Sequence, residues 1–489
     1  MNILDLIQVI VYDYLWGTPM VIFILAVGLY FTTRSGLFQF RFFKHAIAFS
    51  CSRLFKKNQG DTAEGTLSPL QAVSTALGST IGTGNISGVA TAVAVGGPGS
   101  IFWMWVAGLF GMLVKMVEIT LAVYYRKKDA DGNPYGGPTY YMEEGIGKKY
   151  NIKTIAWILI SLFCFGFFIG FFINIQTYTV AEAVSTTFGW GMIPVAVVYT
   201  LILFIMINGG LKRIGEWCSV LVPIMCVFYL GGGLFIILKN ITVLPAVFSS
   251  IFVNAFTPLA AFGGFAGASV SFAMTTGLAR SVYSNEAGWG TSPMIHASAK
   301  VDHPVKEGLI GIFEVFVDTF VVCTITALVV LVSGIWSTGI DGANLTLSAF
   351  EAELGIVGRV ILALAVFLFG ITTASGIYAQ SEAIFNHIIK NPKAVKVIIK
   401  VYKVLYPLLA LIMVLIAVYN GLPGATLWLL ADASTAFPIL TNMIALVVLF
   451  PVFLKLLSDY KARFLGMGKT DPSMKVFYHE EDRKERTDG

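Results

Sequence analysis

The sequence predicts an all-α polytopic membrane protein of eleven spans, one extra helix followed by two inverted halves of five spans each. Three observations carry that reading. Hydrophobic residues make up 56% of the 489 and charged residues only 12%, with a mean hydropathy of +0.78. Apolar runs close to the ~20 residues that cross a bilayer recur from end to end. Glycine and small polar residues interrupt two of those runs, at Gly78-Ser79-Thr80-Ile81-Gly82-Thr83-Gly84-Asn85 and at Gly263-Gly264-Phe265-Ala266-Gly267.

The spans are predicted at 14–33, 69–95, 100–125, 154–186, 191–208, 215–238, 262–285, 307–334, 357–388, 397–419 and 425–457. The first is the extra helix. No basic residues precede it and Asp5 and Asp13 flank its start, so it is expected to stay attached rather than to be cleaved as a signal. The polar stretches 34–68, 126–153 and the tail 458–489 are each too short for a core of their own, which leaves one membrane domain over 1–489. With the loops assigned to alternate sides, all of the 33 Lys and Arg except Lys115, Lys239 and Arg359 fall on one side. Basic residues are retained in the cytoplasm, so the N-terminus is expected outside the cell membrane and the C-terminus inside.

The remaining ten spans divide into 69–238 and 262–457. An odd number of spans per half gives the two halves opposite senses, and each half opens on an interrupted span. Free N–H and C=O groups have no partner in hydrocarbon, so broken backbone persists there only when buried in protein or facing a polar cavity. Paired interruptions of this kind predict two half-helices meeting near the midplane around a ligand, the arrangement of a secondary transporter. Alternatively, the glycines serve close helix packing.

Other chemistries lack their residues. The five cysteines (Cys51, Cys164, Cys218, Cys226, Cys323) form no C-x-x-C pair and read as small core residues. The five histidines show no metal-ligand spacing, and neither H-E-x-x-H nor G-x-S-x-G occurs, so no catalytic residue and no enzyme are expected. A channel would show a repeated filter or pore ring, and none is present. The basic tail, 455–486, is interspersed with Glu480, Glu481 and Asp482, which weakens a lipid-binding reading. Nothing points to nucleic acid; the expected partners are the lipid bilayer and a small solute with its ion.

Two motifs identify relatives. Gly96-Gly97-Pro98-Gly99-Ser100-Ile101-Phe102-Trp103-Met104-Trp105, continuing to Gly111, and Ser284-Asn285-Glu286-Ala287-Gly288, followed by Gly290 and Pro293, resemble hallmarks of the alanine/glycine:cation symporters. The resemblance runs from about residue 16 to 457, with Ser100 and Gly108 departing slightly from the usual small residues. It implies sodium-coupled transport of a small neutral amino acid on a leucine-transporter-like (LeuT-like) 5+5 fold, with sodium as coupling ion and no other cofactor.

Residue chemistry and resemblance then assign roles. An opened turn exposes N–H groups beside a half-helix N-terminus, where the dipole favours a carboxylate; Thr83, Gly84 and Asn85 are expected to contact the substrate or its cation. Asn85 serves equally for an interhelical hydrogen bond. Sodium takes oxygen ligands. The resemblance implies one site from the carbonyls of Gly78 and Ile81 with the hydroxyls of Thr372 and Thr373, and a second from a carbonyl at Thr80 with the amide oxygen of Asn85. The two threonines can also bond back to their own helix. Gln176 falls at a polar pocket position, with Phe172 four residues earlier on the same helical face as an apolar wall.

Relatives commonly carry tryptophan four or five residues after the paired threonines, before the small and acidic residues matched by Ser381-Glu382, where this chain has Gly376-Ile377. Ile377 in place of an indole predicts a roomier pocket and a substrate up to glutamine size. Lys115 and Glu118, three apart on one helix, are expected to pair. Glu182, Glu216, Glu286, Glu314, Asp318, Glu382 and Asp432 are expected mostly toward span ends, with Glu286 near Arg280 as a cytoplasmic gate contact or a helix cap. Asp341, Glu351 and Glu353 mark an acidic outer loop. Proton coupling remains the alternative to sodium.

Overall fold

The computed structural model describes residues 3–55, 67–260, 263, 267–422 and 424–479. Their regular structure is helical apart from two isolated bridges and one small hairpin, β1 (Lys127–Lys128) against β2 (Pro134–Tyr135). In chain order the helices are α1 (Ile3–Val9), α2 (Thr18–Arg34), α3 (Phe43–Phe55), α4 (Pro69–Thr80), α5 (Gly84–Gly96), α6 (Gly99–Tyr124), α7 (Lys153–Ile173), α8 (Ile175–Phe188) and α9 (Met192–Ile207). There follow α10 (Gly210–Lys239), α11 (Leu244–Asn254), α12 (Val270–Asn285), α13 (Ser292–His296), α14 (Pro304–Val332), α15 (Gly342–Ile388), α16 (Pro392–Tyr419) and α17 (Gly424–Leu465).

Among the described residues eight helices are long and apolar enough to cross a membrane, and α5, α9 and α11 are shorter apolar helices. The chain is a multi-pass membrane protein. Val198, Leu201 and Ile205 on α9, Val227, Phe228 and Phe235 on α10, and Val397 and Val401 on α16 are exposed. Such a surface would be an aggregation liability in water and is what a helix presents to lipid.

The first interruption has a local cause. Ser68 caps α4 in a reciprocal capping box with Gln71, and Pro69 sits at the first helical position. Twelve residues later Ile81 turns extended (φ −78°, ψ 97°) and the helix restarts at Gly84 as one π turn before regular α-helix. Gly82 cannot be replaced without movement: a Cβ there would stand 2.4 Å from Thr373 Oγ1.

Gly263–Gly267 lies largely outside the described residues, and α12 begins only at Val270, capped by Ser269 donated to by Phe272 N at 3.1 Å. The break with partners in the fold comes at the other end, where Glu286 (φ 55°), Gly288 (φ 89°) and Gly290 (φ 85°) turn the chain before the five-residue α13. The expected span 154–186 is also divided, because Asn174 takes a left-handed conformation (φ 36°) between α7 and α8.

Helix α6 is mostly buried and packs on α12, α13 and α14. Close approach explains the glycines between α6 and α14: a Cβ on Gly308 would meet Thr120 Oγ1 at 2.2 Å, and one on Gly311 would meet Lys115 Cγ at 2.9 Å. Helix α15 joins two helices across Gly355 (φ 66°), and its second part packs against α4, α8 and α10. At 42 residues α17 is about 60 Å long, twice the hydrocarbon thickness. The tail beyond it turns back instead of trailing: Val476 and Phe477 are buried against Ile119 and Val123, and Tyr478 N donates to Tyr124 O at 2.8 Å.

Candidate functional site

The two broken segments touch. Ser79, at the end of α4, donates to Glu286 Oε1 at 3.4 Å, Thr291 donates to Glu286 Oε2 at 2.7 Å, and Gln380 of α15 donates to Ser79 Oγ at 2.8 Å. Gly84 packs so tightly that a Cβ on it would lie 3.1 Å from the Tyr283 ring. Glu286 therefore caps α12 and ties one break to the other. It does not pair with Arg280, whose partner is Asp432.

One corner of this junction collects oxygens from α4 and α15. Thr373 Oγ1 donates to Gly78 O at 3.0 Å, while Thr372 Oγ1 bonds back to Leu368 O and Phe369 O at 3.0 and 3.1 Å. Ile81, buried and extended, follows within the same unwound turn. Gly78, Ile81 and Thr373 are thus brought together with Thr372 alongside, and the helix-bonded rotamer of Thr372 would have to share its hydroxyl to reach a ligand.

A second corner surrounds Asn85. Its Oδ1 accepts from Gly82 N at 2.8 Å and its Nδ2 donates to Asp318, while Thr326 donates to Asn85 O at 2.7 Å. Asp318 accepts also from Ser284 (2.9 and 3.0 Å) and Thr319 (3.0 Å). Among the described residues no Lys or Arg lies within ion-pair distance of it. The Thr80 hydroxyl is buried without a partner. Asp318 is fully buried in mid-span, contrary to the expectation of a solvated span end, as are Glu286, Glu314 and Asp432. A carboxylate held only by neutral donors is a ready oxygen ligand for a cation.

Between these corners and α17 lies a small cavity of about 20 Å³, lined among others by Asn174, Gln176, Tyr283, Trp289, Ile377 and Thr435. Thr83 Oγ1 hydrogen-bonds Gln176, which ties the unwound turn to this wall. Asn174 Nδ2 and Trp289 Nε1 are buried donors without acceptors. Such orphans are rare and need an explanation, and here both belong to the lining of one cavity. Phe172 does not share the face of Gln176, because the break at Asn174 intervenes. Its side chain is 41% exposed, and Phe171 takes the lining position.

Beside this cavity a buried ion pair joins α12 to α17. Arg280 Nη1 meets Asp432 Oδ1 at 2.7 Å, and the guanidinium lies 4.9 Å over the Trp428 ring. The N-terminal segment covers the pair: Tyr12 donates to Asp432 Oδ2 at 3.2 Å and Trp16 Nε1 to Asp432 O at 2.9 Å. Trp428 Nε1 donates to Ser87 Oγ at 3.1 Å, which links α17 to α5.

Lys115 and Glu118 do not form the expected pair. Lys115 donates to Asn285 O at 2.8 Å and lies 4.0 Å from Glu314, while Glu118 accepts from Asn442. In the helical connection 138–149, the His387 imidazole 2.6 Å away, with Lys390 and Lys127 near, holds the Glu143 carboxyl down to about 2. The roomier cavity beside it, about 400 Å³ and lined by Lys127, Asp129, Glu382 and Lys396, lies away from both breaks.

Asn174, Tyr283 and Trp289 were not expected from sequence, and Ser284 and Asp318 were named there without a role in the site. Asp318 carried a signal, a carboxylate four residues after Glu314 inside one apolar run. Trp289 follows the second motif directly.

The description sodium:alanine symporter family belongs to a family model that matches residues 1–475. The chain is 36% identical to the sodium/alanine symporter AgcS of Methanococcus maripaludis, over 89% of this chain and 93% of that one. It is 36% identical to the probable sodium/glutamine symporter GlnT of Bacillus subtilis, over 98% of this chain and 94% of that one. A solved manganese transporter from Eremococcus coleocola is 13% identical with a TM-score of 0.49, covering 88% of this chain and 83% of that one. The chain belongs to the sodium:alanine symporter family and is a transporter.

Proposed function

We propose that the protein carries a small neutral amino acid, of the alanine and glycine class and up to glutamine in size, into the cell together with sodium. The observation that carries this reading is the junction of two unwound turns beside a small, mostly apolar cavity whose lining includes two orphaned donors. A carboxylate supplies the acceptors that Asn174 Nδ2 and Trp289 Nε1 lack, and the N-terminal end of α5 adds a favourable dipole. Thr83, Gly84, Asn85, Gln176 and Ile377 remain the proposed substrate contacts, now joined by Asn174 and Trp289, with Phe171 in place of Phe172.

Sodium is proposed at Gly78, Ile81, Thr372 and Thr373. A second ion is proposed at Thr80 and Asn85, where Asp318 would supply the negative charge. The names of the relatives, sodium/alanine and sodium/glutamine, support both ion and substrate class. We read the ten spans after α2 as the 5+5 inverted repeat, with the N-terminus outside and the C-terminus in the cytoplasm.

A cavity of about 20 Å³ has room for roughly one water and not for an amino acid. Loading therefore requires Arg280 and Asp432 to part, and release requires α4 and α13 to swing. Sodium favours one arrangement only through its differential affinity for it. Proton coupling is the second reading, since Asp318 without a basic partner accepts a proton as readily as a metal ion. Uptake of labelled alanine and glutamine by the purified chain in liposomes, under an inward sodium gradient with the proton gradient collapsed, tests the first reading. Uptake that persists without sodium would refute it.

A further inference from the structure

Around α13 and the start of α14, five ionisable side chains form one connected chain. His296 Nδ1 lies 2.9 Å from Glu307 Oε1, and His296 Nε2 lies 2.8 Å from Glu314 Oε1. Arg53 Nη1 donates to the other oxygen of Glu307 at 3.2 Å, and Lys115 Nζ lies 4.0 Å from the other oxygen of Glu314. The side chains of His296, Glu307, Glu314 and Lys115 have no exposure at all.

The geometry fixes a proton count. A neutral imidazole has one N–H and one lone pair, and an ionised carboxylate only accepts. With a carboxylate at hydrogen-bond distance from each ring nitrogen, a neutral histidine would point its lone pair at one of them. The trio avoids that repulsion only by holding one more proton, either as an imidazolium between two carboxylates or as a neutral imidazole with one carboxylic acid.

The position makes that proton dependent on conformation. His296 ends a five-residue helix that hangs on the turn through Glu286, Gly288 and Gly290, whereas both carboxylates stand on α14. The other charged groups presented here are Arg53 from α3, Lys115 and Glu118 from α6, and Glu286 from the turn itself. Helices α4 and α15 bring Ser79 and Gln380, which are uncharged, and His303 at the head of α14 is engaged with Asp459 of α17 at 3.2 Å. Movement of α13 away from α14 would leave His296 with the ordinary affinity of an isolated imidazole.

We propose that the His296–Glu307–Glu314 trio is a proton-binding site linked to the transport cycle, holding its extra proton while α13 is docked on α14 and releasing it when the turn at 286–291 opens. This rests on the alternating-access reading above. By linkage, acid favours the docked state, so the proton slows opening and transport rises with pH until the site is empty.

Two measurements on the full chain in lipid test it. Nitrogen NMR with labelled histidine, His296 being identified by loss of its signals in His296→Gln, is expected to show an imidazolium at pH 7.5; failing that, infrared is expected to show a carboxylic acid band that Glu307→Gln removes. A neutral imidazole with no such band would overturn the proposal. In liposomes under an inward sodium gradient, wild-type uptake of labelled alanine and glutamine is expected to rise with pH, the site occupancy changing about tenfold per pH unit on the limb. Glu307→Gln, which lets a neutral histidine accept from one side and donate to the other, is expected to flatten that limb. Identical pH profiles in wild type and variant would overturn the link to transport. No sodium-driven uptake by wild type would instead refute the symport reading, and the spectra would still decide whether the trio binds the proton.

Discussion

Thr373→Ala separates a coupling role from a packing role. In the structure the hydroxyl donates to Gly78 O at 3.0 Å, and removing a neutral hydrogen bond of this kind costs about 0.5–1.5 kcal/mol of stability. If the oxygen also ligates sodium, its loss removes a charge–dipole contact comparable to a hydrogen bond to a charged group, about 1.5–3 kcal/mol. At 1.4 kcal/mol per decade that is about 10- to 100-fold in sodium affinity. The assay is uptake against sodium concentration at saturating amino acid, followed by uptake against amino acid at saturating sodium. The expected result is a large rise in the sodium concentration for half-maximal uptake and a change of less than about threefold in the amino-acid value once sodium saturates. Thr373→Ser, which keeps the oxygen and loses only a methyl group, should restore most of the sodium affinity. An unchanged sodium requirement in Thr373→Ala, or equal loss in the alanine and serine variants, would refute the assignment.

Two further expectations follow from the same geometry. Ile377 is nearly buried and lines a cavity with almost no spare room, so Ile377→Trp should suppress glutamine uptake more than alanine or glycine uptake. The difference expected is about 10- to 200-fold per methylene excluded, and competition against labelled substrate measures it; an unchanged preference would count against the enlarged pocket. Arg280 and Asp432 are both almost fully buried, so Asp432→Asn strands a guanidinium and should destabilise the protein by about 3–5 kcal/mol, whereas Arg280→Met with Asp432→Leu should recover most of that loss. Thermal unfolding in detergent reads both, and equal midpoints for the single and double variants would show that the pair is not a desolvated ion pair.

The first break was legible because its signal and its cause coincide. The residues that spell it, Gly78 through Asn85, are those whose small side chains let α15 and Tyr283 approach the backbone. The turn after α12 went unread because glycine density was taken as the sign of a broken helix. The decisive residues there are Glu286, Gly288 and Gly290, three positions with positive φ inside a motif that the sequence displayed but composition could not rank. The same distinction explains Phe172. Helical spacing puts residues four apart on one face only while the helix lasts, and a single left-handed asparagine at 174 ends it without any glycine or proline to announce the break.

The buried charges were the least legible, for a reason that bears on how the protein works. Hydropathy treats a carboxylate in an apolar run as a cost to be moved toward a span end, yet Glu286, Glu314, Asp318 and Asp432 all stay inside. Each is retained by a partner from a different helix: Ser79 of α4, His296 of α13, Asn85 of α5 and Arg280 of α12. Such cross-helix pairings are invisible to any window along the chain. Breaking a buried pair leaves an uncompensated charge, so helices tied in this way must move together or exchange partners. All four ties end on the broken helices, at Ser79, His296, Asn85 and Arg280, and the last lies under the N-terminal segment. The charges that composition could not place therefore mark the joints at which a cation or a proton can take over a partner's role as the helices part.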